Sequence, residues 1–240
     1  MATTPKDVLI MAAQACINTY RGKHGAENYD IYKTHSSFDT GDVEWDMAWY
    51  DHQTVVIVFR GSKGSEDWKA NFRFRQMKVP YENMNPKIRV HTGFIDQYLE
   101  ARPIIHRELT EGRYKDPKNV VVTGHSLGGA LATLCAVDLK YHNQELPVVC
   151  IPLASPRVGN RAFAQSYDMR VPVTHRIING HDTVCKVPPM WLGYEHVGTS
   201  IYVGKKAWWW YIIHPFLALF GNPMDHKPQE YLKGVRNMVL

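Results

Sequence analysis

Hydrophobic and polar positions along the chain follow two different periods, which separate strands from helices. Residues 43–49 carry Val, Trp, Met and Trp at every second position, which predicts a half-buried strand. Residues 54–59, TVVIVF, form an almost unbroken apolar run that predicts a buried strand, and the short turn between the two predicts a hairpin. Further strands are predicted at 119–124, 146–155, 173–180 and 196–204.

Two segments between these strands, 93–109 and 128–142, have helical spacing of apolar residues. Residues 71–89 contain Pro80 and Pro86 within mixed polarity and predict a loop. Buried strands that alternate with helices form mainly parallel sheets covered on both faces. No linker divides the chain, so we predict a single α/β domain over residues 1–240 with a mainly parallel central sheet and helices on both faces.

The first twenty residues predict a helix rather than a secretory signal. We expect Thr4 as N-cap, Pro5 in the first turn and Asp7 reaching back to the cap. Lys6 is followed at once by Asp7, and no small-residue cleavage site ends an apolar run. A secretory signal is therefore not expected.

The four cysteines include no CxxC pair, and three lie in or beside apolar segments, which favours reduced thiols and a reducing compartment. We therefore predict a cytoplasmic protein, with peripheral contact to a membrane as an option. Lys and Arg outnumber Asp and Glu by 28 to 23, giving a formal net charge of +5 spread along the chain. Such a mild charge allows attraction to an anionic surface but does not indicate nucleic-acid binding. The sequence leaves the oligomeric state open.

Residues 120–130, VVVTGHSLGGA, carry the clearest chemical signal. They contain G-x-S-x-G, which places a serine on a strained strand-to-helix turn at the carboxyl end of a sheet. The five-residue pattern alone arises by chance in roughly one chain in fifteen of this length. The strand predicted before it and the helix predicted after it therefore carry the inference that Ser126 is a nucleophile.

A serine nucleophile needs a base, and the base needs a carboxylate that fixes its tautomer. Asp182 is the best acid, because it follows a β-branched strand in a glycine-containing loop; Asp168 is weaker, and Asp138 lies on the helix after the serine and points the wrong way. Five histidines beyond the helix predicted at 128–142 are candidate bases, and His226 is preferred because it comes last, in a loop that opens a terminal helix. The others are His175, His181, His196 and His214.

Acyl transfer also needs N–H donors for the oxyanion. The turn itself supplies the Leu127 N–H. The second donor is expected after the strand at 54–59, where Gly61 and Ser62 follow Arg60. The histidines show neither HExxH nor another ligand spacing, so no metal and no cofactor is expected.

Seven segments in order resemble the class 3, or fungal-type, lipases. The resemblance implies an α/β-hydrolase fold and hydrolysis of lipid esters. It also implies Ser126, Asp182 and His226 as the triad, with Ser62 and Leu127 as the oxyanion hole. The segments lie between residues 55 and 232: VVIVFRGS with DWKANF, VHTGF, VVVTGHSLGGALATL, ASPRVGNRAF, RIINGHDTVCKVPP, YEHVG and DHKPQEYL.

Two further segments are predicted to contact lipid. Residues 63–71 match the lid position of secreted fungal members and keep Trp68, but they are short and charged, so a large lid movement is not expected. Residues 207–221, AWWWYIIHPFLALFG, are too short to span a bilayer and contain a proline. We predict that they wall the acyl site and rest on lipid through Trp208, Trp209, Trp210 and Phe216; a flap over the core is the alternative.

Several functions remain open at this stage. Triacylglycerol or monoacylglycerol hydrolysis leads, and phospholipase A1 or short-chain esterase activity is the alternative, because an acyl chain carries few distinguishing groups. A catalytically silent lipid- or partner-binding module on a hydrolase scaffold is the alternative from another class, because fold alone does not determine activity.

Overall fold

A computed structural model describes five ranges of the chain, 4–20, 34–62, 74–80, 85–204 and 224–238. The helices of these ranges are α1 (Lys6–Thr19), α2 (Thr92–Thr110), α3 (Leu127–His142), α4 (Arg161–Arg170) and α5 (Pro228–Arg236). The strands are β1 (Thr34–Thr40), β2 (Val43–Trp49), β3 (Thr54–Phe59), β4 (Gln76–Lys78), β5 (Arg89–His91), β6 (Asn119–His125), β7 (Val148–Leu153), β8 (Gly159–Asn160), β9 (His175–Asn179), β10 (Tyr194–Glu195) and β11 (Thr199–Val203).

Seven strands form the central sheet in the order β1-β2-β3-β6-β7-β9-β11. β1, β2 and β3 pair antiparallel, which confirms the predicted hairpin. β3, β6, β7, β9 and β11 pair parallel, which confirms the mainly parallel sheet. The other four strands form a small antiparallel sheet in the order β10-β8-β5-β4. Because the five parallel strands share one direction, their carboxyl ends meet at a single edge of the sheet, called the carboxyl edge below.

Helices cover both faces of the central sheet, and β3 shows how the sequence divides them. Val55, Ile57 and Phe59 pack into a core with residues of α2, α3 and α4. Val56 and Val58 point the other way, into a core with residues of α1 and α5. Successive side chains of a strand point to opposite faces, so a strand that is apolar at every position needs cover on both.

Two local expectations are wrong, and one strand lies where the sequence predicts no element. α1 has Pro5, not Thr4, at its N-cap position, where the Pro5 carbonyl accepts from the Val8 N–H at 3.2 Å. The strand β1, sequence THSSFDT, was not predicted because it is largely polar; it holds its place at the sheet edge by backbone pairing to β2. The predicted loop at 71–89 contains β4 and the first residue of β5.

All four cysteines of the chain are buried, and none is paired in a disulfide. Burial raises the pKa of the Cys16 and Cys150 thiols to about 12, so both stay protonated. None of the helices in the described ranges has both the length and the apolar character needed to cross a bilayer.

Candidate active site

The turn between β6 and α3 holds Ser126 in a conformation that few residues adopt. Its backbone has φ 59° and ψ −123°, and its N–H donates to the Leu153 carbonyl at 2.9 Å. A non-glycine residue at such a positive φ costs about 1–3 kcal/mol and persists only where neighbours enforce it. The strained serine predicted from G-x-S-x-G is therefore present, at the carboxyl edge of the sheet.

Two glycines make this turn possible because neighbouring backbone leaves no room for a side chain. A Cβ on Gly124 would overlap the Gly128 carbonyl, and a Cβ on Gly128 would overlap the Phe59 carbonyl. The turn is thus pressed against the end of β3, and this close approach brings the loop after β3 next to Ser126.

His226 bridges Ser126 and Asp182, although it lies a hundred residues beyond the serine. Its Nε2 is 3.0 Å from the Ser126 Oγ, and its Nδ1 is 2.8 Å from the Asp182 Oδ2. Ser126 and Asp182 are buried, with 5% and 2% of their surfaces exposed. The hydrogen-bond order serine, imidazole, carboxylate is the one that nucleophilic catalysis requires.

Asp182 is held by more than the imidazole. The Val184 N–H donates to its Oδ1 at 2.8 Å, and the buried Tyr231 hydroxyl donates to its Oδ2 at 2.6 Å. Burial alone would raise the pKa of this carboxyl, but the bonds from His226, Tyr231 and Val184 outweigh it and lower the pKa. Asp182 is therefore an anion whose charge faces His226. Sequence reasoning missed Tyr231, and its only signal was its place five residues after the proposed base.

The loop that carries His226 is tied to the loop that carries Asp182. The side chain of Asp225 accepts from the His181 N–H at 2.7 Å. The backbone carbonyl of Asp225 accepts from the Asn179 amide at 2.9 Å. The residues beside the base and beside the acid are thereby joined, which fixes the distance between the two side chains. Sequence reasoning also missed this role of Asp225.

A second histidine lies beside the base without joining the hydrogen-bond chain. The rings of His125 and His226 have centroids 4.7 Å apart, and the Tyr20 hydroxyl lies 3.0 Å from the His125 Nδ1. Burial first, and the nearby His226 second, lower the pKa of His125 to about 3. His125 is therefore a neutral packing partner that adds no charge beside the base.

The two predicted oxyanion donors flank Ser126. Leu127 opens α3, and the first N–H groups of a helix have no partner within it. Ser62 is half-buried and follows Gly61, where a Cβ would lie 2.6 Å from the His125 carbonyl and 3.3 Å from the Ser126 Cβ. The loop after β3 thus passes directly over the turn.

The other candidates lie elsewhere. His196 bonds the Cys185 carbonyl through Nε2 at 2.7 Å and so ties the backbone near Asp182 rather than serving as the base. Asp168 accepts from the Gly198 N–H at 2.7 Å, and Asp138 is buried on α3. The segments with Trp68, Trp208, Trp209, Trp210, His214 and Phe216 lie outside the described residues.

Three curated relatives indicate the chemistry of similar chains. A lipase of Rhizomucor miehei is 34% identical over 74% of this chain and 47% of its own length. A secreted mono- and diacylglycerol lipase of Fusarium solani is 33% identical over 62% and 44%. Phospholipase A1-II 4 of Oryza sativa subsp. japonica is 32% identical over 79% and 52%. The chain therefore spans about half the length of the curated relatives it matches.

These relatives overturn the predicted cytoplasmic location. The Fusarium solani relative is named as secreted, as is a lipase of Malassezia restricta, which points away from the cytoplasm. The physical reason lies in the cysteines. A thiol enclosed in a core has no access to a second thiol or an oxidant, so its reduced state says nothing about the compartment around it.

A solved structure and a family model assign the chain to the same group of proteins. A solved structure described as a triacylglycerol lipase, whose catalytic centre is a serine protease triad, has a TM-score of 0.75 with this chain at 25% identity. It covers 94% of this chain, and this chain covers 95% of it. The family model for class 3 lipases matches residues 56–191, more than half of the 240 residues. The chain belongs to the class 3 lipase family and has its α/β-hydrolase fold.

Proposed function

We propose that the protein is a metal-independent serine carboxylic-ester hydrolase that cleaves lipid esters. The observation that carries this proposal is the hydrogen-bond chain from Ser126 through His226 to Asp182, with bonds of 3.0 and 2.8 Å, at a strained turn. A buried serine hydroxyl has no structural need for such a partnership.

Acylation gives each member of the chain a separate role. The His226 Nε2 takes the hydroxyl proton while the Ser126 Oγ attacks the ester carbonyl carbon, and the carbonyl oxygen becomes an oxyanion. The N–H groups of Ser62 and Leu127 stabilise that charge, and each such donor contributes about 10²–10³-fold in rate. Asp182, held anionic, stabilises the imidazolium that forms. His226 then returns the proton to the leaving alcohol oxygen, and the acyl group stays on Ser126.

Deacylation repeats these steps with water. His226 takes a proton from a water molecule, whose oxygen attacks the acyl carbon, and the same donors hold the second oxyanion. Its collapse releases the carboxylic acid and returns the proton to Ser126. Neither half of the cycle needs a metal or a cofactor.

Acylglycerols are the proposed substrate class, since two of the relatives are lipases and one of them is named for mono- and diacylglycerols. Phospholipase A1 activity is the second candidate, since a rice relative bears that name. A panel of esters with graded acyl lengths, tested beside intact phospholipid vesicles and assayed for the fatty acid released, separates the two. Release from vesicles but not from acylglycerol emulsions would favour the phospholipase.

We further propose that the turn Met190–Leu192 contacts the lipid surface. Trp191 and Met190 have 86% and 63% of their surfaces exposed, unusual for such apolar side chains. The turn leads directly into β10 of the small sheet. That sheet lies at the carboxyl edge, because its strands β5 and β8 run straight into α2 and α4, which start there. Aromatic rings exposed beside the site are suited to the headgroup layer.

A matched pair of variants tests this contact. Trp191→Ala should weaken binding to vesicles and slow hydrolysis of aggregated lipid, and leave a short soluble ester unaffected. Met169→Ala is the control, because Met169 is 76% exposed near the end of α4, at the opposite edge of the sheet. Equal vesicle binding by both variants would reject the contact.

Covalent labelling distinguishes an active serine hydrolase from a catalytically silent hydrolase scaffold. A fluorophosphonate should label the chain once, at Ser126, and should not label Ser126→Ala. A folded chain that resists the label and shows no burst with a p-nitrophenyl ester would make the scaffold the better hypothesis.

A further inference from the structure

A group of potential metal ligands lies where α2 packs against α3, far from Ser126 along the helix. Asp138 and His142 are four residues apart on α3 and so share one face, and His106 joins them from α2. One ligand atom from each of the three residues lies within 4.8 Å of the other two. Asp138 is eleven residues into α3, about 16 Å from its start at 1.5 Å per residue.

The two oxygens of Asp138 have different surroundings. Its Oδ2 accepts from the Tyr98 hydroxyl at 2.7 Å and from the Arg102 Nε at 2.9 Å, and it lies 2.7 Å from the His106 Nε2. Its Oδ1 is buried and has no hydrogen-bond partner, although the His142 Nδ1 is 3.3 Å away. The side chain has no exposed surface. A buried carboxylate oxygen without a partner requires an explanation.

We propose that Asp138, His106 and His142 bind a divalent transition-metal ion of the zinc type. Two imidazoles and one carboxylate form a common zinc ligand set, with water completing a tetrahedron. Bonds of about 2.0–2.1 Å at tetrahedral angles put neighbouring ligand atoms roughly 3.3 Å apart. The Asp138 Oδ1 and the His142 Nδ1 already have this separation. The ion would bind the open oxygen, while Tyr98 continues to bond the other. The His106 Nε2 now donates to that other oxygen at 2.7 Å, so its proton must move to the ring Nδ1 before Nε2 can bind the ion.

The ion can reach the site from solvent. His106 and His142 have 24% and 46% of their side chains exposed, whereas Asp138 is enclosed beneath them. The acidic ligand therefore forms the floor of the site, and the two imidazoles form its rim. Such an arrangement predicts reversible binding in exchange with free metal.

The Arg102 guanidinium competes with this ion for the His142 imidazole. Its Nη2 lies 2.9 Å from the His142 Nε2, and because a guanidinium only donates, Nε2 is the acceptor and the ring proton is on Nδ1. That proton now donates to the Asp138 backbone carbonyl, 2.9 Å from Nδ1. Metal binding at Nδ1 requires the proton to move to Nε2, which breaks both this bond and the bond from Arg102. The arginine, 28% exposed, must then turn towards solvent. Its removal should therefore tighten metal binding.

Calorimetric titration of the untagged, chelator-stripped chain with zinc chloride tests the site. We expect one zinc ion per chain, with His106→Gln and His142→Gln each weakening binding about 10–100-fold, at least the loss caused by removing an outer-shell partner. Arg102→Gln should strengthen it about 10-fold, the Coulomb repulsion of one and two charges roughly 5 Å apart in water. His52→Gln, an exposed histidine before β3, is the control and should bind normally.

A second set of outcomes separates this site from the triad. His226→Gln should keep full zinc affinity, and zinc should leave hydrolysis of a soluble ester unchanged. Cobalt in place of zinc should give the visible absorbance of tetrahedral coordination, and His142→Gln should abolish it. The proposal is overturned if no saturable binding occurs below millimolar zinc. It is equally overturned if binding survives in His106→Gln and His142→Gln, or if it depends on His226.

Discussion

Removal of the Tyr231 hydroxyl should reveal how strongly the structure holds Asp182 as an anion. Tyr231→Phe deletes the donor that lies 2.6 Å from the Asp182 Oδ2 and changes no other heavy atom. Both side chains are buried, with 0% and 2% of their surfaces exposed, so water cannot replace the lost bond. Hydrogen bonds to charged groups contribute about 1.5–3 kcal/mol, and we expect the free energy of unfolding to fall by this amount at pH 7.

The loss should depend on pH with a definite sign. The pKa of Asp182 in the folded chain lies below its ordinary value of 3.8, so the stability that its carboxylate contributes is complete above 3.8. That stability is lost as the pH falls through the folded-state pKa. Without the Tyr231 donor the folded-state pKa rises, so acid unfolding of the variant should begin at a higher pH. Between pH 5 and pH 7 the difference between variant and parent should stay constant.

Tyr114→Phe is the matched control for this experiment. Tyr114 is also fully buried, but its hydroxyl bonds two neutral partners, the Met47 carbonyl at 2.7 Å and the Ser36 Oγ at 2.9 Å. A neutral bond contributes about 0.5–1.5 kcal/mol, and its loss should not shift acid unfolding. Urea unfolding at several pH values measures both variants. The reasoning fails if Tyr231→Phe costs no more than Tyr114→Phe, or if its acid unfolding stays at the parent pH.

Three further changes test the packing and the loops around the site. Gly128→Ala should abolish ester hydrolysis and lower the melting temperature, because its Cβ would overlap the Phe59 carbonyl. Asp225→Ala should lower kcat/KM about 10²-fold by releasing the His181 N–H and shifting the base, and Asp225→Asn, which keeps an acceptor oxygen, should recover much of the rate. Ile57→Ala, at a fully buried position of β3, should cost about 2–5 kcal/mol of unfolding free energy in urea and leave the pH profile of hydrolysis unchanged.

The sequence predicts the parallel sheet well because burial on both faces leaves a distinctive pattern. A strand such as β3 must be apolar at nearly every position, and its short length and β-branched residues distinguish it from a buried helix. The edge strand β1 lacks the signal, since only one side of its backbone pairs and its side chains are largely polar. Helix starts are predicted less well, because whether Thr4 or Pro5 precedes α1 depends on backbone angles that either residue can adopt.

The site contains features that neighbouring residues determine and features that residues distant in sequence determine, and only the first kind can be predicted from the sequence. The turn at Ser126 is local: its glycines, strand and helix lie within a few residues, so the pattern predicts it. The partners of Asp182 are distant, since Tyr231 meets it across 49 residues of sequence. No sequence pattern shows which tyrosine hydroxyl donates to a buried carboxylate. The same limit hides the proposed metal site, because His106 and Asp138 lie 32 residues apart on different helices and fit no ligand spacing.

The two ends of α3 carry opposite partial charges, so one helix can stabilise an anion at one end and a cation at the other. A helix has partial positive charge at its N-terminus and partial negative charge at its C-terminus, each felt within about one turn. Ser126 lies at the N-terminal end, where an oxyanion is stabilised, whereas His142 ends the helix beside Arg102, where cations are stabilised. Because each effect decays within a turn and Asp138 lies about 16 Å along the helix from its start, a metal ion bound at Asp138 should not alter the charge stabilisation at Ser126. The helix thus provides a direct reason to expect that zinc affinity and ester hydrolysis can be changed independently.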